Sequence, residues 1–174
     1  MLISLFIYYE YMKNIYLRSI YKNNMRKEIV WKISSFKDLS IDELYTILGL
    51  RCKIFIVEQN APYLDTDNKD QKALHLHGYI DGELIAYCRL FKQGDYYNEG
   101  SIGRVIIAEE FRKYGYGHDL IKKALEIEAT HFNSKGIVIS AQAHLQNFYG
   151  IHGFVSYGDL YLEDGIPHIR MKRG

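Results

Sequence analysis

The chain has 174 residues, 48% hydrophobic and 25% charged, which suits one globular domain with a real core. A net charge of +1 argues against nucleic acid as the main partner. The two cysteines, Cys52 and Cys88, form no C-x-x-C pair, so no disulfide framework is expected and a reducing cytoplasm is the natural setting.

In chain order, Met1–Tyr9 is apolar, but Glu10 ends the run far short of the roughly 20 apolar residues of a membrane span. No basic flank or small-residue cleavage site accompanies it, so it makes a poor signal peptide, and no membrane is implied. Met1–Lys27 therefore reads as an N-terminal extension ahead of a domain over residues 28–174. A frayed helix, an added interaction arm and a start placed upstream of the true one, at Met25, are the three accounts of it. Glu28–Ser34 alternates as a first strand. Ser40 with Glu43 forms a capping-box signature, and Leu44, Ile47 and Leu48 recur at helical spacing behind it. A second helical piece over Phe55–Asn60 stops at Pro62. Cys52 lies in this apolar helical run with no base near it in sequence, so a nucleophilic role is disfavoured.

Asp65–Asp70 (D-T-D-N-K-D) invites a calcium reading. It fails, because Lys69 and Asp70 stand where an oxygen ligand and a glycine are needed, and Leu76 replaces the closing glutamate. A polar, mobile loop rimming a site is expected instead. His75–Ile80 and Glu83–Phe91 form a hairpin around Asp81-Gly82. His75 and His77 share one strand face; without a third ligand at matching spacing, structural or substrate-facing roles outrank zinc, and no metal is expected.

Ser101–Ala108 is a hydrophobic strand running into E-E-F-R-K-Y-G-Y-G. A helix over Tyr116–Phe132 follows, then a buried strand over Ile137–Ala143 and a short helix over His144–Gly150. Strands at Phe154–Leu162 and His168–Lys172 flank the Asp164-Gly165 turn. The strand–helix mixture predicts an α/β or α+β fold with a mixed sheet flanked by helices. At the glycine turn, Gly115 and Gly117 let backbone N–H groups approach a ligand where a helix begins, and Arg112 and Lys113 add positive charge. The pattern suits phosphate, although a ligand-free strand-to-helix turn is an equal reading of the turn alone. It is neither a P-loop nor a full G-x-G-x-x-G, because Leu120 stands at the third glycine position. Nucleotide binding also lacks a ribose or magnesium motif.

R-x-x-G-x-G after a hydrophobic strand, then helix, strand and a short helix with Y-x-x-x-G-F, resembles the acetyl-coenzyme A core of the GNAT N-acetyltransferases. Arg51–Asp67, Ile102–Ile107, Ala141–Tyr149 and Glu163–Ile169 carry a closer resemblance to the ElaA-like branch. The likeness runs from about Trp31 to the end, which favours Met25 among the readings of the N-terminus. It implies a mostly antiparallel sheet whose two central neighbouring strands splay apart to admit the cofactor.

The resemblance implies acetyl-CoA as donor, with its pyrophosphate on Arg112, Lys113, Tyr114, Gly115, Tyr116 and Gly117. Its pantetheine arm would pair with the backbone of Val105, Ile106 and Ile107, where an N–H would also hold an oxyanion. Tyr149 matches the family tyrosine that protonates the leaving thiolate, against a reading as a packed aromatic. Asn147 is a candidate cofactor contact. Gln142 stands where many members carry asparagine, and Ala61 where ElaA-like proteins commonly carry cysteine. For the base that deprotonates the amine, Glu58 is the first candidate, as a carboxylate partly buried after an apolar helix. His75, His144 and a water chain are alternatives, and His168 either lines the acceptor site or bonds a turn. The expected activity is acetyl transfer to a primary amine of a small molecule or peptide, in a ternary complex, by a monomer or homodimer. The rival is a non-catalytic acyl-CoA sensor, which would keep Arg112–Gly117 and could dispense with Tyr149.

Overall fold

The computed structural model describes residues 26–174, so the readings of the N-terminal extension fall almost wholly outside it. Seven strands share one sheet: β1 (Val30–Ser35), β2 (Leu74–Ile80), β3 (Glu83–Phe91), β4 (Gly100–Ile107), β5 (Ile137–Gln142), β6 (Val155–Glu163) and β7 (Ile166–Arg173). Their order is β1-β2-β3-β4-β5-β7-β6. Every neighbouring pair is antiparallel except β4 and β5. The expected mixed, mostly antiparallel sheet is therefore present.

Local chemistry sets the connections. Asp81 and Gly82 sit at φ 51° and 83°, and Asp164 and Gly165 at 51° and 80°. Two successive positive φ values give the tight turn whose twist matches a hairpin, and Asp-Gly tolerates both. Helix α1 (Ile41–Arg51) begins at the expected capping box: Ser40 Oγ accepts from the Glu43 N–H, and Glu43 Oε2 accepts from the Ser40 N–H. The helix does not break before Phe55. It continues as a π-helical segment, Cys52–Glu58, so the second helical piece is a widened extension of the first. Helix α2 (Tyr116–His131) and the short α3 (Gln146–Gly150) cover the opposite face of the sheet. No helix among the described residues is long and apolar enough to cross a membrane.

The core lies in two layers. Leu120, Ile121, Ala124 and Ile127 of α2 pack with Leu76, Cys88, Leu90, Ile139, Ala141 and Met171 of the sheet. On the other face, Ile47 and Ile54 pack with Leu84, Tyr87 and Ile106. This second layer also holds the largest departure from expectation. Asp65–Asp70 is not a mobile rim. Asp65 and Asp70 are buried, and with Asp67 they balance three arginines. Arg51 donates Nε to Asp65 (2.6 Å) and Nη1 to Asp70 (2.7 Å). Arg89 donates to both oxygens of Asp67 (2.7 and 2.8 Å) and to Asp70 (3.0 Å), and Arg104 to Asp65 (2.5 Å). Burial alone would raise the Asp65 pKa, but Arg104 and Arg51 hold its carboxyl below the usual range.

Two consequences follow for stability. Asp70→Ala leaves Arg51 and Arg89 under-compensated in the interior and is expected to cost about 3–5 kcal/mol in urea unfolding. Glu128 is fully buried on α2, and burial pushes its pKa up to about 7, against a Ser134 hydroxyl bond that lowers it. The folded state thus binds a proton that the unfolded state has already released. Stability is expected to fall as pH rises from the ordinary carboxylate range through about 7, and Glu128→Gln should flatten that decline in thermal unfolding.

Candidate functional site

Strands β4 and β5 pair only at Gly100–Ile137 and Ser101–Val138. Beyond Ser101 they diverge, and Ile102–Ile107 keeps β3 on one edge with no strand on the other. A cleft of about 640 Å³ opens in the gap. Val105, Ile106 and Ile107 line it, and their edge, unpaired by any strand, offers backbone donors and acceptors. The strand is also bulged. Tyr87 pairs with Ile106 and Arg89 with Gly103, so Arg104 and Val105 together oppose Cys88, and Arg104 takes φ 51°. Such a conformation costs a non-glycine residue on the order of 1 kcal/mol, and the Asp65 carboxylate anchors the side chain that carries it. Neither the bulge nor the role of Arg104 in the cleft was anticipated; nothing local in I-G-R-V-I-I marks it.

The glycine turn forms one end. Arg112, Gly115 and Gly117 line the cleft, with Gly115 at φ 80° immediately before α2. The other three residues assigned to this turn do not bring side chains to it. Lys113 and Tyr114 are exposed outside the lining. Tyr116 is in the core, where its hydroxyl donates to the Lys27 carbonyl at 3.0 Å. Helix geometry explains this, because a residue one step into the first turn must choose between the sheet and solvent. His118 occupies the position instead, with Nδ1 2.9 Å from His152 Nε2 and its ring against Phe148.

Arg112 is not free. It donates to both oxygens of Glu58 (2.5 and 2.8 Å) and through Nε to the Ile107 carbonyl (3.0 Å). Glu58 was expected in an apolar setting that would raise its pKa, and instead it forms a two-pronged ion pair at the cleft wall. The π-helical winding of Cys52–Glu58 delivers it there.

Tyr149 lies 6% exposed on the cleft floor, edge-on to Phe148 and Phe154. Its hydroxyl has no hydrogen-bond partner among the described residues. Burial raises its pKa, so near neutral pH it retains a proton that it can donate. Gln142 lines the same floor and donates to Gln59 Oε1 at 3.0 Å. Asn147 is exposed on the outer side of α3 and does not line the cleft.

The far end gathers Ser140, His144, Glu163, Asp164, Ile166 and His168. His144 and His168 thus reach the cleft. His75 does not. It is fully buried between Tyr87 OH (2.8 Å from Nδ1) and the Asp70 carbonyl (3.0 Å from Nε2), and burial lowers its pKa. The same burial takes His77 down to about 4. Both histidines are structural members of the sheet. Among the described residues, no three metal-ligating side chains converge.

This architecture agrees with three comparisons. Residues 50–173 match the acetyltransferase (GNAT) domain model. The chain is 44% identical over 147 residues to Protein ElaA of Escherichia coli K12, covering 83% of this chain and 96% of that one. The crystal structure of Escherichia coli ElaA superposes with a TM-score of 0.79 at 42% identity, over 84% of this chain and all of that one. An acyl-CoA N-acyltransferase from Pseudomonas aeruginosa does so with a TM-score of 0.79 at 40% identity, over 83% and 99%. The chain belongs to the GNAT acetyltransferase family, and it has the acyl-CoA N-acyltransferase fold and the character of an acyltransferase.

Because Glu58 competes for the guanidinium that a phosphate would seek, Glu58→Gln is expected to tighten coenzyme A binding. The pair is about one-third exposed, so a gain of about 1 kcal/mol, or up to fivefold, is the scale to look for by calorimetry. Arg112→Ala should weaken binding instead.

Proposed function

We propose that the protein is an acetyl-CoA-dependent N-acetyltransferase that moves an acetyl group to a primary amine by direct transfer in a ternary complex. The carrying observation is the parting of β4 and β5 after two residue pairs, between a glycine turn at one end and Tyr149 on the floor. The cosubstrate needs donors for a pyrophosphate, a peptide-like edge for its amide-rich arm, and a proton source near its sulfur. Arg112 and the backbone of Gly115–Gly117 fit the first need, at a helix start that favours anions. The unpaired edge of Val105–Ile107 fits the second. Its peptide N–H groups would also oppose charge developing on the carbonyl oxygen, where the apolar side chains around them keep the local dielectric low. Tyr149 fits the third, because its phenol holds its proton and its ring packs among core side chains beside Phe148 and Phe154.

In this scheme Glu58 is a latch rather than a base. Donor phosphate replaces its carboxylate on Arg112, one anion for another, so the guanidinium is never left unpaired. The acceptor is a small molecule or a peptide amine, and the free Cys52 and Cys88 suit a reducing cytoplasm. The rival reading, a sensor that binds acyl-CoA without turnover, has no need of a protonated phenol on the cleft floor. The outer strand β6, an open edge with exposed Leu160 and Leu162, leaves a monomer or an edge-paired homodimer as the assembly.

Calorimetric titration with acetyl-CoA and CoA, beside an Arg112→Ala/Gly117→Trp variant, tests the donor site. Gly117 already lies against Phe148, so an indole there must occupy the cleft. Binding in the wild type and loss in the variant is the expected result; no binding by either protein would defeat the reading. Tyr149→Phe should then lower kcat for thiol release on the order of a hundredfold, with acetyl-CoA affinity kept. An unchanged kcat would remove the tyrosine from the mechanism.

A further inference from the structure

We infer that Glu163 receives the acceptor's ammonium group and takes its proton, and that the acceptor is a primary amine with no carboxylate on the carbon bearing nitrogen. This rests on the acetyltransferase reading above.

Five charged side chains line the cleft: Glu58, Arg104, Arg112, Glu163 and Asp164. Glu58 and Arg112 neutralise each other, and Arg104 is neutralised by Asp65. Among the described residues, Glu163 and Asp164 have no cationic partner. They come from the end of β6 and the β6–β7 turn, whereas Arg112 comes from the segment between β4 and α2. The cleft thus takes its unpaired carboxylates from the β6–β7 hairpin and its glycine-turn donors from the segment after β4.

The hydrogen bonds around Glu163 sharpen this. Ser140 Oγ donates to Glu163 Oε2 at 2.7 Å. That uses its only proton, so the Tyr161 hydroxyl, 2.6 Å from Ser140 Oγ, must be the donor in their contact. A directed relay, Tyr161 to Ser140 to Glu163, ends on Oε2 and leaves Oε1 to accept from something else. His168 follows the same logic. Its Nδ1 donates to the Ile166 carbonyl at 2.8 Å, which fixes the tautomer and leaves Nε2 with a lone pair. Gln142 gives one of its two amide N–H donors to Gln59 Oε1. The open positions at Glu163 are thus acceptors: its Oε1 and the Asp164 carboxylate beside it. An ammonium, all donors and one positive charge, is the complementary group.

The proton accounting closes. The ammonium gives one proton to Glu163, and the freed amine attacks the thioester carbonyl, forming C–N. Collapse breaks C–S; the thiolate takes a proton from Tyr149, which is re-protonated by the one the attacking nitrogen sheds. Glu163 releases its proton to water. A carboxylate on the amine-bearing carbon would be brought close to Glu163 and Asp164, and like charges in contact repel. The titratable and charged groups around Glu163 are Asp164 beside it, Tyr161 on the same strand, and His168 and Arg170 on β7, where Arg170 pairs with Ser140 and acts on Tyr161.

The test uses the full chain saturated with acetyl-CoA. Thiol release is followed with 2-phenylethylamine, isobutylamine and 1,4-diaminobutane, and with phenylalanine and valine as carboxylated counterparts of the first two. At least one amine should be acetylated, and each carboxylated counterpart at least about tenfold more slowly. Glu163→Gln should lower kcat about a hundredfold near pH 7. The loss should shrink above about pH 9, where more of the amine arrives already deprotonated. Acetyl-CoA affinity should not change, which also shows that the variant folds. Wild-type kcat with an unchanged pH profile in Glu163→Gln, a preference for the amino acids, or acetylation of no amine by protein that binds acetyl-CoA would each overturn the proposal. Failure of the wild type to bind acetyl-CoA would instead defeat the donor site, and this inference with it.

Discussion

A sheet interior that withholds its hydrogen bonds is the constraint on which the rest of this structure depends. Buried backbone N–H and C=O groups are almost always paired, because an unpaired one forfeits its bonds to water without replacement. Here β4 sits fourth of seven strands, yet it leaves β5 after Gly100 and Ser101. The rest of that edge faces the cleft with no strand partner. The position of every functional group follows from that separation. The helix after β4 starts at one side of the gap, the helix after β5 floors it, and the β6–β7 turn closes its far end.

Holding two strands apart requires reinforcement from outside the sheet. The three-arginine, three-aspartate cluster supplies it on the α1 face. Arg51 comes from the end of α1, Arg89 from β3 and Arg104 from the bulge in β4, while the aspartates all come from one short connection. Each arginine is a planar multi-donor fork, so it can bridge two carboxylates at once and convert a loop into a brace. The brace sets the left-handed Arg104 and with it the direction of the backbone at Val105–Ile107. Ion pairs of this kind contribute little net stability for their burial but strongly penalise any other arrangement.

The cleft gathers charge of both signs. Arg112, beside the glycine turn, is paired with Glu58 and so does not stand alone. Glu163 and His168, from the β6–β7 hairpin, also line it. So does an apolar stretch of Ile106, Ile107, Phe148 and Tyr149, where fields from these charges act with little screening.

Much of this was legible before any coordinates. The capping box at Ser40–Glu43, the two Asp-Gly hairpins, the strand running into a glycine turn and the periodic face of α2 each rest on interactions within a few residues. Local sequence therefore determines them, and with them the element order and the family likeness. The chain alone did not show that Asp65–Asp70 is interior, because a run of aspartates looks solvated until three arginines from distant elements converge on it. Nor did it show that His75 is sealed between Tyr87 and a carbonyl, that Glu58 is spoken for by Arg112, or that Lys113 and Asn147 turn away from the cleft. Charge pairing and burial depend on which surfaces meet across the sheet. Sequence determined the elements and the glycine turn; only tertiary packing decided which of the described charges pair across the sheet and which line the cleft without a partner.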